Sequence, residues 1–298
     1  MSPVRLIHHA ARRGGPQPPS SLSGLCACIA ARARLVEVDV LPLADGDFAL
    51  LHDADLAEST DGQGYVAERT SDQARALHLR WRGAVTAEPV ALLSEVVATV
   101  AGSPWPEELQ LDLKAHVPLS DRMLASLAQR VSPLSRRVRV SSVADWALRR
   151  LHALAPWLAL GFDPLLYLDV DPEGERDRDV PPWRVAAYGY RDDHPLASRR
   201  WGTPRAYLDA RAEALLAQVP LAGVWYVRAA LLAQALDDGF DLIAALHARG
   251  VEVAAWTLDP EGPGHLALAH RLLEVGVDRI TTNDAPGLAR ALGTAVCF

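Results

Sequence analysis

A chain of 298 residues and 32.2 kDa, half of it hydrophobic and 22% charged, has the apolar material for a large core and lacks the composition of a disordered chain. Its formal net charge of −7 and pI near 5.8 argue against a duplex nucleic-acid surface, which needs clustered basic side chains for counterion release. No stretch approaches the ~20 apolar residues of a membrane span, the first residues lack the apolar run of a signal peptide, and Cys26, Cys28 and Cys297 show no zinc-ligand spacing, so a cytoplasmic protein with reduced thiols and no stable membrane insertion is expected.

Short apolar runs alternate with helix-length segments, the sequence mark of βα units around a parallel sheet. Residues 4–8 open the series; 35–40 follow, and then 48–52 after the turn Asp45-Gly46-Asp47. Residues 91–101 have a helical pattern, and 109–113 read as the next strand, closed by Lys114. Strand-like runs recur at 138–142, 158–162, 223–227, 251–257 and 279–282, with a helical segment at 145–154 and helical patterns beside the later strands. About eight strands in this rhythm predict a (β/α)8 barrel in one domain spanning 1–298, a fold that commonly runs to about 250 residues. One segment interrupts it. Residues 169–205 are rich in Asp, Arg and Pro, carry Trp183, Tyr188, Tyr190 and Trp201, and exceed a normal connection in length. An insertion at the C-terminal ends of two strands would lie over the active site; the alternative is a solvated insertion without a role.

Period-two alternation in Val36-Glu37-Val38-Asp39-Val40 places three valines on one face and two carboxylates on the other. With the valines against the helices, Glu37 and Asp39 point into the barrel, where their repulsion and desolvation call for a bridging cation. A hard divalent metal with oxygen ligands fits. Leu111-Asp112-Leu113-Lys114 repeats the geometry, offering Asp112 as a third ligand and Lys114 as a charge for a phosphate oxygen. Lys114 is the single lysine among 30 Lys plus Arg, in a chain that otherwise uses Arg throughout. An ammonium differs from a guanidinium fork wherever it must fit a tight anion pocket, so the exception points to a specific role. Asn283 is likewise the single asparagine. His8 at the end of the first strand and His52 at the end of the third complete the constellation.

These residues resemble the glycerophosphodiester phosphodiesterases. The likeness extends from His8 to nearly the end of the chain and is strongest in Leu35-Val36-Glu37-Val38-Asp39-Val40, Leu51-His52-Asp53-Ala54-Asp55-Leu56 and Leu109-Gln110-Leu111-Asp112-Leu113-Lys114. Shorter matches are the helix start at Glu88-Pro89, Trp256-Thr257-Leu258-Asp259, Gly276-Val277-Asp278 and Thr282-Asn283. The resemblance implies a (β/α)8 barrel with Glu37, Asp39 and Asp112 as ligands of Mg²⁺ or Ca²⁺. It further implies His8 and His52 as a general acid/base pair, Lys114 at the phosphate of a small-molecule phosphodiester, and Trp256 as an apolar wall. The chain departs from the family at its first motif, His-Arg-Gly, which stands here as His8-His9-Ala10. The phosphate-binding Arg is therefore missing or replaced by His9, Arg12 or Arg13. Spacing to Glu37 leaves His9 as the alternative catalytic residue, whereas strand parity favours His8 if Leu6 faces inward and Ile7 the helices. The family's Glu-Asn-Thr appears as Pro19-Ser20-Ser21, and Asp112 stands in place of a usual Glu. Asp-x-Lys with Trp-x-x-Asp also resembles the sphingomyelinase D group of the same superfamily. Three functions follow as expectations: hydrolysis of a glycerophosphodiester to alcohol and glycerol 3-phosphate, phospholipase D-like action on lysophospholipids, or phosphodiester binding without turnover.

Overall fold

The computed structural model describes residues 4–114, 117–170, 184–185, 187–195, 197–200, 202–293 and 296–297. Eight parallel strands close into a ring: β1 (Val4–His8), β2 (Leu35–Pro42), β3 (Glu108–Leu113), β4 (Val138–Ser142), β5 (Ala159–Phe162), β6 (Val224–Arg228), β7 (Glu252–Trp256) and β8 (Arg279–Thr282). β1 pairs in parallel with both β2 and β8, and that double pairing closes the barrel. Helices fill the connections, among them Leu22–Ala30 after β1, Leu93–Ala101 before β3 and Asp145–Leu154 after β4. The expected (β/α)8 fold is the one present.

Alternation along each strand sorts the side chains. Val36, Val38 and Val40 of β2, Leu109, Leu111 and Leu113 of β3, and Trp225 and Val227 of β6 belong to the main core between barrel and helices. The opposite faces fill the interior in layers. Arg5, Glu108, Arg139, Glu252 and Arg279 lie at the N-terminal ends, joined by Arg5–Glu252 at 2.7 Å, Arg139–Glu108 at 3.0 Å, and Arg279 to Glu108 and Glu252 at 2.5 and 2.6 Å. Every charge in this floor has an opposite partner, as burial requires. Above it Ile7, Leu35, Val224, Tyr226 and Ala254 form a separate apolar cluster with Trp256 against it.

Two expectations are corrected here. Residues 48–52 are not a barrel strand. Only Phe48–Ala49 is extended, and it runs antiparallel to the end of β2, with Leu41 opposite Ala49 and Pro42 opposite Phe48. The tight turn at Asp45-Gly46-Asp47, with Gly46 at φ +89°, can only produce a hairpin, because a parallel neighbour needs a long crossover. His52 therefore stands on a loop outside the ring. The second correction concerns strand parity in β1. Ile7 packs in the interior cluster with Tyr226, whereas Leu6 joins the core facing the helices.

Of the 169–205 insertion, Leu168–Val170, Arg184–Val185 and Tyr190–Asp192 form a small antiparallel sheet. It is packed, not merely solvated: Tyr190 is buried and donates to Asp238 Oδ2 at 2.7 Å, and buried Asp192 pairs with Arg211 at 2.8 Å. Trp183 and Trp201 lie outside the described residues. Among the described residues no helix is long and apolar enough to cross a membrane.

Candidate active site

At the C-terminal ends of the strands a cavity of about 190 Å³ opens, and it brings together His9, Glu37, His52, Asp112, Lys114 and Trp256. Asp39 adjoins it through Lys114. One carboxylate oxygen from each of Glu37, Asp39 and Asp112 lies within 4.8 Å of the others. Glu37 and Asp39 are each only 3% exposed. Glu37 Oε2 accepts the Ala10 backbone N–H at 2.6 Å, while Oε1 is buried with no hydrogen-bond partner among the described residues. Lys114 Nζ lies 2.7 Å from Asp112 Oδ2 and 3.3 Å from Asp39 Oδ1.

Charge balance decides what such a cluster holds. Burial, reinforced by Asp39 and Asp112, pushes the Glu37 carboxyl well above its usual range. Burial alone would raise Asp39 too, but Lys114, His52 and His9 together bring it below normal. Lys114 loses to burial and gains more from Asp112, Asp39 and Glu37, so its ammonium is held charged. Ionising all three carboxylates against one ammonium would leave two unbalanced negative charges in a largely buried site, and that cost is what raises Glu37. One divalent cation with oxygen ligands neutralises them, and the orphaned Glu37 Oε1 is a ready ligand atom. The donor set therefore fits the expected metal.

His8 is not part of this arrangement. It is fully buried, donates from Nδ1 to the Arg12 carbonyl at 3.0 Å, and is pushed down to about 4 by burial. Of His8 and His9, the one that lines the cavity is His9, one residue beyond the strand in a 3-10 turn (His9–Ala11). The reason is the parity of β1: with Ile7 inward, His9 shares its face and His8 is turned away. His9 Nε2 lies 3.9 Å from Glu37 Oε2, and burial lowers its pKa. His52 titrates the other way: its ring hydrogen-bonds Asp53 Oδ1 at 2.9 Å, which raises its pKa against the opposing effect of burial.

The sequence profile of the Glycerophosphoryl diester phosphodiesterase family matches residues 14–286. The chain belongs to that family. No curated protein matches it. Among solved structures, a Silicibacter pomeroyi protein assigned to the same family has 24% identity and a TM-score of 0.70, covering 98% of this chain and 93% of its own. An Oleispira antarctica phosphodiesterase in complex with sn-glycerol 3-phosphate has 20% identity and a TM-score of 0.66, with 97% of each chain covered. A Parabacteroides distasonis glycerophosphodiester phosphodiesterase has 16% identity and a TM-score of 0.65, covering 97% of this chain and 96% of its own. At these identities the likeness is one of fold.

Within this glycerophosphoryl diester phosphodiesterase family member, several side chains join the site that sequence reasoning did not assign to it. Ser20 Oγ donates to Asp39 Oδ2 and accepts the Asp39 N–H, both at 3.2 Å. Ser141 Oγ donates to Asp112 Oδ1 at 3.1 Å. Asp163, at the end of β5, lines the cavity with its carboxyl pushed up to about 8 by burial and then by Asp112. Asn283 accepts from His9; its status as the single asparagine and the Thr282-Asn283 match to the family had marked the position, without a role. Arg12 does not replace the missing motif arginine in the cavity; its guanidinium stacks over Trp81, 4.8 Å from the ring centre. Trp256 is covered by Arg228 at 4.5 Å, and Arg228 is gripped by both oxygens of Asp169 at 3.0 Å, which ties the insertion to the cavity wall.

Proposed function

We propose that this protein is a divalent-metal-dependent hydrolase cleaving glycerophosphodiesters to an alcohol and sn-glycerol 3-phosphate. The observation that carries the reading is two imidazoles of opposite tendency, His9 and His52, lining one cavity with a carboxylate triad and a lone ammonium. Groups whose surroundings push their pKa values apart divide acid and base roles between them. Neutral His9 takes the proton from the attacking oxygen, a water or a hydroxyl of the substrate itself. Protonated His52 gives its proton to the alkoxide as the phosphorus–oxygen bond to the alcohol breaks. Lys114 meets a phosphate oxygen as a point charge. Glu37, Asp39 and Asp112 would hold Mg²⁺ or Ca²⁺. When bound, such an ion adds positive charge against the phosphoryl oxygens. Trp256, steadied by Arg228, forms the wall beside the substrate.

Incubation with glycerophosphocholine and, separately, lysophosphatidylcholine, with and without added Mg²⁺ or Ca²⁺ and followed by phosphorus NMR, tests the reading. Release of sn-glycerol 3-phosphate from glycerophosphocholine is expected. Turnover of lysophosphatidylcholine alone would favour the phospholipase D-like reading, and turnover of neither would leave a binding protein.

A further inference from the structure

Two guanidiniums share one tryptophan at the rim of the mouth. Arg12 follows His9 by three residues, its N–H donates to the His9 carbonyl at 2.9 Å, and its guanidinium stands 4.8 Å from the centre of the Trp81 ring. The Arg82 guanidinium stands 5.7 Å from the same centre. Among the described residues neither guanidinium makes an ion pair or a hydrogen bond, unlike the barrel floor, where each meets a carboxylate. Burial works against the Arg12 cation, the field of Asp259 favours it, and Arg82 opposes it again. Asp259 supplies no ion pair, because its oxygens are taken by Thr282 and Asn283. Two like charges on one ring, one of them half-buried, in a chain of net charge −7, call for an anion from outside.

The hairpin that carries Trp81 works against its local preference. His78–Trp81 and Ala84–Pro89 pair antiparallel with Trp81 opposite Ala84, so Arg82-Gly83 is a two-residue turn, with φ of +52° and +81°. Gly83 suits such a turn, but at the first position Asn or Gly is less strained than Arg. Arg82 stands beside Trp81 at a backbone cost. The hairpin is also tied to His52, because Leu51, just before His52, and Leu79, two residues before Trp81, share an apolar cluster. It therefore bounds the side on which His52 gives its proton to the departing alcohol. Trp256 in the cavity wall is covered by a third guanidinium, that of Arg228. A quaternary ammonium headgroup needs open aromatic faces, and Trp81 and Trp256 each already carry a cation.

We propose that Arg12 and Arg82, held together on Trp81, form a rim subsite for a phosphate or carboxylate carried by the alcohol half of the diester, so that the enzyme selects anionic alcohols over neutral and cationic ones. The assignment rests on the glycerophosphodiester reading above, under which the glycerol half has no second charge and any further anion belongs to the alcohol. Selection comes from both sides: an anion gains charge-assisted hydrogen bonds from two free guanidiniums, and a cation meets like charge.

The test compares kcat/KM of the full chain, with Mg²⁺ or Ca²⁺ present, for glycerophosphoinositol and glycerophosphoinositol 4-phosphate, which differ by one anionic group on the alcohol. The wild-type protein is expected to prefer the phosphorylated diester by about tenfold or more, mainly through KM, and the preference should shrink as salt is raised. Arg82→Asn, which removes the charge and suits the turn, and Arg12→Gln should each bring the ratio to within about threefold of unity. Equal wild-type efficiencies, or a full preference kept by Arg82→Asn, overturn the proposal; in the second case the metal and Lys114 account for the selection. Circular dichroism checks folding, and Arg82→Asn decides the matter if Arg12→Gln does not fold. Binding to phosphatidylglycerol vesicles that Arg82→Asn abolishes, with equal efficiencies on the two soluble diesters, would make the pair a lipid contact and also overturns it. Hydrolysis of both diesters without preference sinks the subsite alone. Hydrolysis of neither sinks the catalytic reading, and calorimetry on the same two intact diesters then reads the rim preference by itself.

Discussion

His9 Nδ1 lies 2.8 Å from the side-chain oxygen of Asn283, whose amide nitrogen is itself committed to Asp259 Oδ2 at 2.7 Å. Because the amide donates to Asp259, its oxygen can only accept, so His9 carries its proton on Nδ1 and presents the lone pair of Nε2 to the cavity. Asp259 is held in turn by Thr282 Oγ1 at 3.0 Å and the Asn283 N–H at 2.7 Å. Asn283→Ala is therefore expected to lower kcat by roughly 10- to 100-fold with little change in KM, since a displaced ring costs catalysis more than binding. Steady-state kinetics would show this, and an unchanged kcat would remove Asn283 from the site.

The placement of the histidines makes a sharper comparison. His9→Ala and His52→Ala should each reduce turnover by roughly 10² to 10⁴-fold, the usual share of acid/base catalysis. His8→Ala should act mainly on stability, because His8 is buried against the Arg12 carbonyl and does not line the cavity. Thermal melts beside kinetics distinguish the two; a greater loss of kcat in His8→Ala than in His9→Ala would reverse the assignment.

The pH profile should be bell-shaped. His9 must be neutral to accept a proton, so activity falls as pH drops through its lowered pKa. His52 must be protonated to donate, so activity falls as pH rises through its raised pKa. Asp53→Asn removes the main cause of that elevation, and the alkaline limb should move to lower pH while the acid limb stays. A profile of kcat/KM against pH for both proteins checks the direction.

Lys114→Arg should be nearly as harmful as Lys114→Ala. The ammonium sits between Asp112 and Asp39, and a wider planar guanidinium would pair bidentately with them and draw a ligand from the metal. Retention of more than about half of wild-type turnover in Lys114→Arg would reduce the lone lysine to an accident of composition.

Chelation should abolish activity, and Mg²⁺, Ca²⁺ or Mn²⁺ should restore it. Glu37→Gln should weaken metal affinity measured by calorimetry, because it removes one of the three clustered carboxylates. Full activity after chelation, with no metal by elemental analysis, would contradict this.

Much of the barrel and of its mouth was legible in the chain, because alternation is a local property. Val36 to Val40 alone separates the helix-facing valines from Glu37 and Asp39, and Leu111 to Lys114 does the same for Asp112. Lys114 announced itself by composition. What the sequence left open was decided by register and by distance along the chain. A one-residue change of phase turns every side chain of a strand to the other face, so nothing local in Leu6-Ile7-His8-His9 chooses between the two histidines; the choice came from Ile7 packing against Tyr226, more than 200 residues away. The support of His9 by Asn283 spans 274 residues, and the contact of Ser141 with Asp112 spans 29. Such pairs exist only once the strands are laid side by side, which is why the alternation of the carboxylates could be read from the sequence and the hydrogen bonds that orient His9 and Asp112 required the closed barrel.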